Sequence, residues 1–266
     1  MNLSTQIRNQ LLLQLETATT DENGQLNEAF RLLSKWRSVL IQNTLLQQEG
    51  TKVLQGPLAR LDFIENSTEG CHIAKLLGCY EQPLLPYIQQ AIETPYQQVI
   101  NVGCAEGYYA VGMALKMANT QIMAYDLDPT AQSTCKELAK KNNVLDRVTI
   151  GALFNVEDFQ KFILSKTLVL CDIEGAEREL LNPELAPALK KMDIIVESHE
   201  VLIPGVTQLL VNRFKESHQI ILVEDNGQRQ LDKMPAWFQR LAHLDQLIAV
   251  WEWRSGPTPW LVMKAL

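Results

Sequence analysis

The chain has 266 residues, 46% of them hydrophobic and 21% charged, a profile that excludes a disordered or collagen-like chain. Acidic side chains outnumber basic ones by 31 to 24, giving a net charge of −7 without any Lys/Arg run, so nucleic acid is not expected as a partner. No apolar run reaches the roughly 18 residues of a membrane span, and the N-terminal stretch lacks the basic leader and apolar core of a signal peptide, so a cytoplasmic protein with no membrane attachment is expected.

In chain order, Leu3, Ile7, Leu11 and Leu15 recur at helical spacing until Asp21-Glu22-Asn23-Gly24 breaks the run. Phe30, Leu33, Trp36, Leu40 and Leu45 then predict a second, longer helix. Between Lys52 and Phe63 the pattern shortens and alternates, with Ala59, Leu61 and Phe63 on one side and Gly56-Pro57 as a turn, which predicts a small β element. Residues 64–80 are weakly patterned, and Pro83 to Ile92 predict one more helix. The five cysteines, Cys71, Cys79, Cys104, Cys135 and Cys171, are odd in number and show no C-x-x-C spacing, so neither a disulfide framework nor a zinc site is expected.

From Gln97 the texture changes. Strand-like runs at Val99–Val102, Ile122–Tyr125, Val148–Ile150, Leu168–Cys171 and Ile194–Val196 alternate with stretches long enough for a helix, the βαβ pattern of a mainly parallel, doubly wound α/β sheet. Ile220–Val223 and Leu247–Trp253 are two further strand candidates for one edge. The chain therefore divides into an N-terminal helical and small-β appendage, residues 1–96, and a sheet domain, residues 97–266.

The segment Val99-Ile-Asn-Val-Gly-Cys-Ala-Glu-Gly-Tyr-Tyr carries the chemistry. A buried strand runs into Gly103-x-x-x-Gly107 and then a helix, which lets backbone approach a ligand closely and aims a helix N-terminus at it. Asp126 ends the next strand 23 residues after Gly103, near the ~20 expected of an acid that accepts hydrogen bonds from an adenosine ribose. Its alternative role is helix capping, with Asp128 as the binding residue. A dinucleotide fingerprint needs glycines where Ala105 and Tyr108 stand, which disfavours a nicotinamide cofactor.

The pattern resembles motif I of the class I S-adenosylmethionine (SAM) methyltransferases, [D/E]-x-G-x-G-x-G, written here Asn101-Val-Gly103-Cys104-Ala105-Glu106-Gly107, with Asn101 in place of the acid and Ala105 in place of a glycine. Further on, Asp172-Ile-Glu174-Gly175-Ala-Glu177 after one strand and Glu197-Ser-His199 after the next resemble the FkbM-type methyltransferases over roughly residues 97–225. The resemblance implies a seven-stranded Rossmann-like sheet, usually with an antiparallel last strand, SAM as cofactor, and methyl transfer to a hydroxyl of a small molecule or sugar.

In open α/β sheets ligands sit beyond the carboxyl ends of the strands, and Asn101, Asp126, Asp172 and Glu197 all fall at or just past such ends. Asn101, Gly103, Cys104, Ala105, Glu106, Gly107, Tyr108, Asp126, Leu127 and Asp172 are the expected cofactor residues. His199, suited by its ordinary pKa to accept a proton, is the expected base, with Asp172 and Glu197 as catalytic partners. Glu174, Glu200, Tyr80 and Glu81 are the candidate acceptor contacts, the last two because the segment before the first sheet strand often closes over the cofactor in the methyltransferases that this chain resembles. Each has a plain structural alternative: Tyr108 packs in its helix, Glu177 sits favourably in a first turn, and His199 is a satisfied interior group. Asp172, Glu197 and Glu200 form an acidic trio that could hold a divalent cation through hard oxygen ligands, but strand-end carboxylates need none, so no metal ligands are assigned. Trp251, Trp253 and Trp260, with Pro257 and Pro259, form an aromatic segment suited to core packing or a homodimer contact. A rival of another class is a non-catalytic scaffold that keeps the fold and uses the helical hairpin for partners.

Overall fold

Seven strands form one sheet in the order β3-β2-β1-β4-β5-β7-β6. They are β1 (Gln98–Val102), β2 (Gln121–Tyr125), β3 (Val148–Gly151), β4 (Thr167–Cys171), β5 (Asp193–Glu197), β6 (His218–Val223) and β7 (Trp260–Ala265). The computed structural model describes residues 2–17, 19–65, 71–254, 256 and 258–266. The first five strands are mutually parallel, and β7 runs antiparallel to both β5 and β6. β1, β4 and β5 read as nearly unbroken apolar runs because a central parallel strand is covered on both faces.

Alternation along these strands feeds two apolar layers. Val99, Ile122, Leu168, Leu170 and Ile195 face one, while Ile100, Val102, Val169, Cys171, Ile194 and Val196 face the other. The first layer continues through α3 (His72–Leu77) and α4 (Leu85–Glu93) to Ile41 and Leu45 of α2 (Glu22–Glu49), so one apolar cluster crosses residue 96.

The predicted hairpin forms as α1 (Leu3–Thr17) and α2, with Asp21 capping α2 by accepting the Gly24 N–H at 2.7 Å. α2 buries Ala29, Ser34, Ser38, Ile41 and Leu45, whereas Phe30 and Leu33 from the predicted stripe face solvent. α1 buries none of its described residues. The small β element reduces to a single bridge, Lys52 to Asp62.

The seventh strand is not where the alternation placed it. Leu247–Trp253 lies largely in α10 (His243–Val250), and β7 follows as Trp260–Ala265. A short apolar run fits either period; here the helix is selected by packing on α2 and α3, with Ala249 buried and Asp245 in a two-pronged ion pair with Arg37 of α2. Pro257 of the aromatic segment lies outside the described residues.

Candidate active site

Strand register assembles the rim. Val102 of β1 pairs with Tyr125 of β2 and Cys171 of β4, and Cys171 pairs with Val196 of β5. Gly103, Asp126, Asp172 and Glu197 therefore follow in one row at the carboxyl end of the sheet. Gly103 is at φ +75°, and a Cβ there would lie 1.6 Å from the Asp172 carbonyl oxygen, so no side chain fits. Ala105 also adopts a left-handed backbone, φ +45°, which costs an L-residue about 1–2 kcal/mol. Its N–H donates to Asp126 Oδ2 at 2.8 Å, and the Asp128 N–H donates to Oδ1 at 2.9 Å. Both carboxylate oxygens keep lone pairs for a further donor. Asp128 caps α6 (Pro129–Lys141), so of the two acids it is Asp128 that does the capping.

Beyond this row lies a cavity of about 660 Å³ walled by Gly103, Asp126, Leu127, Leu153, Phe154, Asn155, Asp172 and Ile173, among others. A second, of about 430 Å³, is lined by Lys75, Tyr80, Asp172, Glu174, Glu197, His199, Trp253 and Arg254 and their neighbours. Between them a narrow gap touches Asn101, Gly103, Cys104, Ala105, Tyr108, Tyr109 and Asp172. Asp172 lines all three.

The Asp172–Glu177 turn and the end of β5 build one cluster. Glu177, the first residue of α7 (Glu177–Leu180), is fully buried and accepts at Oε1 from the N–H groups of Ile173 and Gly175, each at 3.2 Å, and from His199 Nδ1 at 2.7 Å. His199 Nε2 stands 3.5 Å from Asp172 Oδ1, 3.4 Å from Glu174 Oε2 and 4.0 Å from Glu197 Oε2. Burial works to lower the imidazole's pKa, but the Glu177 hydrogen bond and the charges of Glu197, Glu177 and Glu174 outweigh it and raise it. Burial likewise works against an ionised Glu177, and the His199 and backbone hydrogen bonds reverse that and hold its pKa down. Glu174 takes a left-handed conformation, φ +54°, ahead of Gly175 at +104°, so the turn that aims these groups is a sharp one.

A buried ion network backs the second cavity. Arg254 reaches Glu81 at 2.6 Å and also Glu197, while Glu252 pairs with Arg229 and accepts the Glu81 N–H. Burial, reinforced by the charge of Glu197, pushes the Glu81 carboxyl up to about 8 despite Arg254. Burial opposes the Arg254 cation, yet Glu81 and Glu197 keep its pKa above the ordinary range. Lys75 is buried against Glu106 at 2.8 Å and lies over the Tyr80 ring.

The predicted residues thus divide. Gly103, Asp126, Leu127 and Asp172 wall the larger cavity; Asn101, Cys104, Ala105 and Tyr108 line the gap; Glu174, Glu197, His199 and Tyr80 line the second cavity. Glu106 turns inward to Lys75, Glu81 joins the Arg254 network, and Gly107 closes against Cys135, where a Cβ would lie 2.7 Å from the thiol. Glu200 caps α8 (Val206–Phe214), accepting from the Thr207 N–H and hydroxyl, and lines neither cavity. Sequence reasoning missed Lys75, Arg254, Glu252 and Phe154, which sit in no motif.

Residues 84–198 match the family profile described as ribosomal protein L11 methyltransferase (PrmA). The chain is 30% identical over 123 residues to the ribosomal protein L11 methyltransferase of Acinetobacter baylyi, covering 46% of this chain and 38% of that one. To the Shewanella sediminis enzyme of the same name it is 36% identical over 94 residues, covering 35% and 30%. The chain thus spans about a third of the length of the curated relatives it matches. An O-methyltransferase from Bacillus cereus solved with S-adenosylhomocysteine aligns over 94% of both chains at 10% identity, TM-score 0.45.

In sheet order and in the matched segment, residues 84–198, the chain is similar to the class I SAM-dependent methyltransferases, whose cofactor is SAM. The residues fit that cofactor: Asp126 at the cavity wall keeps acceptor lone pairs, and Asn101 Oδ1, buried beside the gap, takes no hydrogen bond and offers an acceptor to an ammonium group.

Proposed function

We propose that the protein transfers a methyl group from SAM to a hydroxyl of a small-molecule or glycosyl acceptor held in the second cavity. The observation that carries this reading is Asp172, which lines both cavities and has His199 Nε2 beside it at 3.5 Å. Asp126, the Gly103–Gly107 turn and Asn101 hold the cofactor, and Leu127, Leu153 and Phe154 offer it an apolar wall. SAM supplies a methyl group on a sulfonium centre when bound.

The cavity wall aligns the acceptor hydroxyl, which would take the methyl group that bound SAM supplies, the C–S electron pair being left on sulfur. The hydroxyl proton leaves toward the cluster of Asp172, Glu174 and His199 and passes from there to water. The Asp172-x-Glu174-Gly175-x-Glu177 turn supports an FkbM-type assignment. Residues 1–96 serve as a packing module for the rim, since α3 carries Lys75 into the second cavity and Tyr80 follows it there.

A second reading comes from the matched segment: an amine of a protein as acceptor, after the name of the curated relatives. Labelled SAM offered with hydroxylated metabolites and glycosides, or with ribosomal protein L11, separates the two, and label in L11 alone would overturn the first. Calorimetry showing that neither SAM nor S-adenosylhomocysteine binds would remove both.

A further inference from the structure

Four acidic side chains converge on one imidazole at the junction of the two cavities. Of the atoms that face the junction, His199 Nε2, Asp172 Oδ1 and Glu174 Oε2 are one group: a ligand atom from each lies within 4.8 Å of the others, with 3.4 and 3.5 Å from the nitrogen to the two oxygens. Atoms bound at about 2.0–2.4 Å around one ion are about 3–4.8 Å apart, the spacing found here.

The imidazole is prepared from behind. Nδ1 faces Glu177 Oε1 at 2.7 Å, and that oxygen already receives two backbone N–H groups, so Nδ1 is the donor and, in the neutral imidazole, Nε2 carries the lone pair that an ion would take in place of a proton. A buried carboxylate that fixes the tautomer of a histidine in this way is the usual support of a metal-bound imidazole.

Charge gives a separate indication. The Glu197 side chain is 4% exposed and gives Oε1 to Arg254; Oε2 is directed at the same nitrogen from 4.0 Å and, among the described residues, accepts no hydrogen bond. The neighbouring cations are already engaged, Arg254 with Glu81 and Glu197, and Lys75 with Glu106. Carboxylates gathered at this nitrogen favour a positive charge there, carried by a proton on Nε2 or by a metal cation that replaces it.

We propose that Asp172, Glu174 and His199 bind a divalent cation, with Glu177 positioning His199 and Glu197 lending charge from behind. Two oxygens and one imidazole suit an ion of the Mn²⁺ type, and the open side faces the second cavity, where an acceptor hydroxyl completes the coordination. Ion binding stands independently of the proposed reaction; only the ion's role toward the acceptor rests on methyl transfer, and with the ion on Nε2 the acceptor proton leaves through the carboxylates to water and not through His199. Against the reading from sequence, which assigned no metal ligands, it is the turn Asp172–Glu177 meeting the end of β5 that brings the donors together.

The test is Mn²⁺ titration of the chelator-treated full chain, followed by electron paramagnetic resonance with pulsed detection of ¹⁴N coupling. One Mn²⁺ per chain with imidazole ¹⁴N coupling is expected. His199→Ala should abolish the coupling, and Glu174→Gln, at an exposed position that leaves the fold intact, should weaken binding at least tenfold. Glu177→Gln should cost about 10–100-fold, as second-sphere changes do. No Mn²⁺ binding by the wild-type chain, or binding with neither ¹⁴N coupling nor sensitivity to Glu174→Gln, overturns the site. Methyl transfer that persists undiminished in chelator while Mn²⁺ binds would remove the ion's role toward the acceptor. Mn²⁺ binding without any methyl transfer would remove the reaction and leave the ion site standing.

Discussion

The two cavities share a rim and are built differently. The larger one is made by backbone: a glycine at φ +75°, a left-handed alanine, and strand ends held in one row by register. Its side chains come from short segments directly after β1, β2, β3 and β4. The second cavity is made by side chains from four separated stretches, around residues 71–80, 172–174, 197–202 and 252–258, tied together by buried ion pairs. A backbone-built site is intolerant of added atoms, whereas a charge-built site is intolerant of lost partners and of pH.

The sharpest way to break the first is Gly103→Ala. The new Cβ would meet the Asp172 carbonyl at 1.6 Å, so the turn must shift, and SAM binding should fall below detection in calorimetry. Tight binding by the variant would mean that the turn does not cradle the cofactor. For the second cavity, Arg254→Met leaves Glu81 and Glu197 buried without their cation, and removing one partner of such a pair costs about 3–5 kcal/mol. Denaturant unfolding should show that loss; a change under about 1 kcal/mol would mean that the network is not what holds this wall.

The pH dependence is expected on the same side. His72, on the helix that carries Lys75, is 3% exposed; its Nε2–H donates to the Ile64 carbonyl oxygen at 2.8 Å, Nδ1 has no partner among the described residues, and burial lowers its pKa from 6.5 to about 4. Between those values the unfolded chain takes up a proton that the folded chain refuses. The contribution of a neutral His72 is therefore complete above pH 6.5 and is lost as pH falls toward 4, by about 3 kcal/mol at ~1.36 kcal/mol per unit. Urea midpoints at pH 7 and 4.5 should differ less in His72→Gln than in the wild type; equal differences would assign the acid sensitivity elsewhere.

Smaller effects sharpen the contrast. Asp126→Ala removes the acceptor that ties Ala105 and faces the larger cavity, and should weaken SAM about 10–100-fold, the equivalent of about 1.4–2.8 kcal/mol, without altering the second cavity. Removing residues 2–17 should move the unfolding midpoint least, by about 1 kcal/mol or less, because α1 buries none of its described residues. A large loss there would show that the hairpin, and not only the lower half of α2, supports the rim.

This division also explains what could be read in advance. Gly103, Asp126 and Asp172 were legible because strand, turn and helix follow one another along the chain, and a row of strand ends needs only register to become a site. Arg254, Lys75 and Glu252 were not legible, since each is one charge in an unremarked segment whose partner lies far off, Arg254 meeting Glu81 across 173 positions. Glu200 looked like its neighbours in sequence but turned to cap α8. Leu247–Trp253 looked like a strand because five consecutive apolar residues, Leu247 to Trp251, satisfy either period, and only packing on α2 and α3 selected the helix.

The amino-acid sequence by itself determined the alternation of strand and helix, the apolar runs of β1, β4 and β5, and the glycine turn, because these depend on steric and hydrophobic terms between near neighbours. The tertiary structure alone decided which strand closes the sheet, which face of α2 is covered, and how acids and cations distant in the chain come to share one buried volume. Those outcomes depend on desolvation and pairing between segments, and no local pattern carries that information.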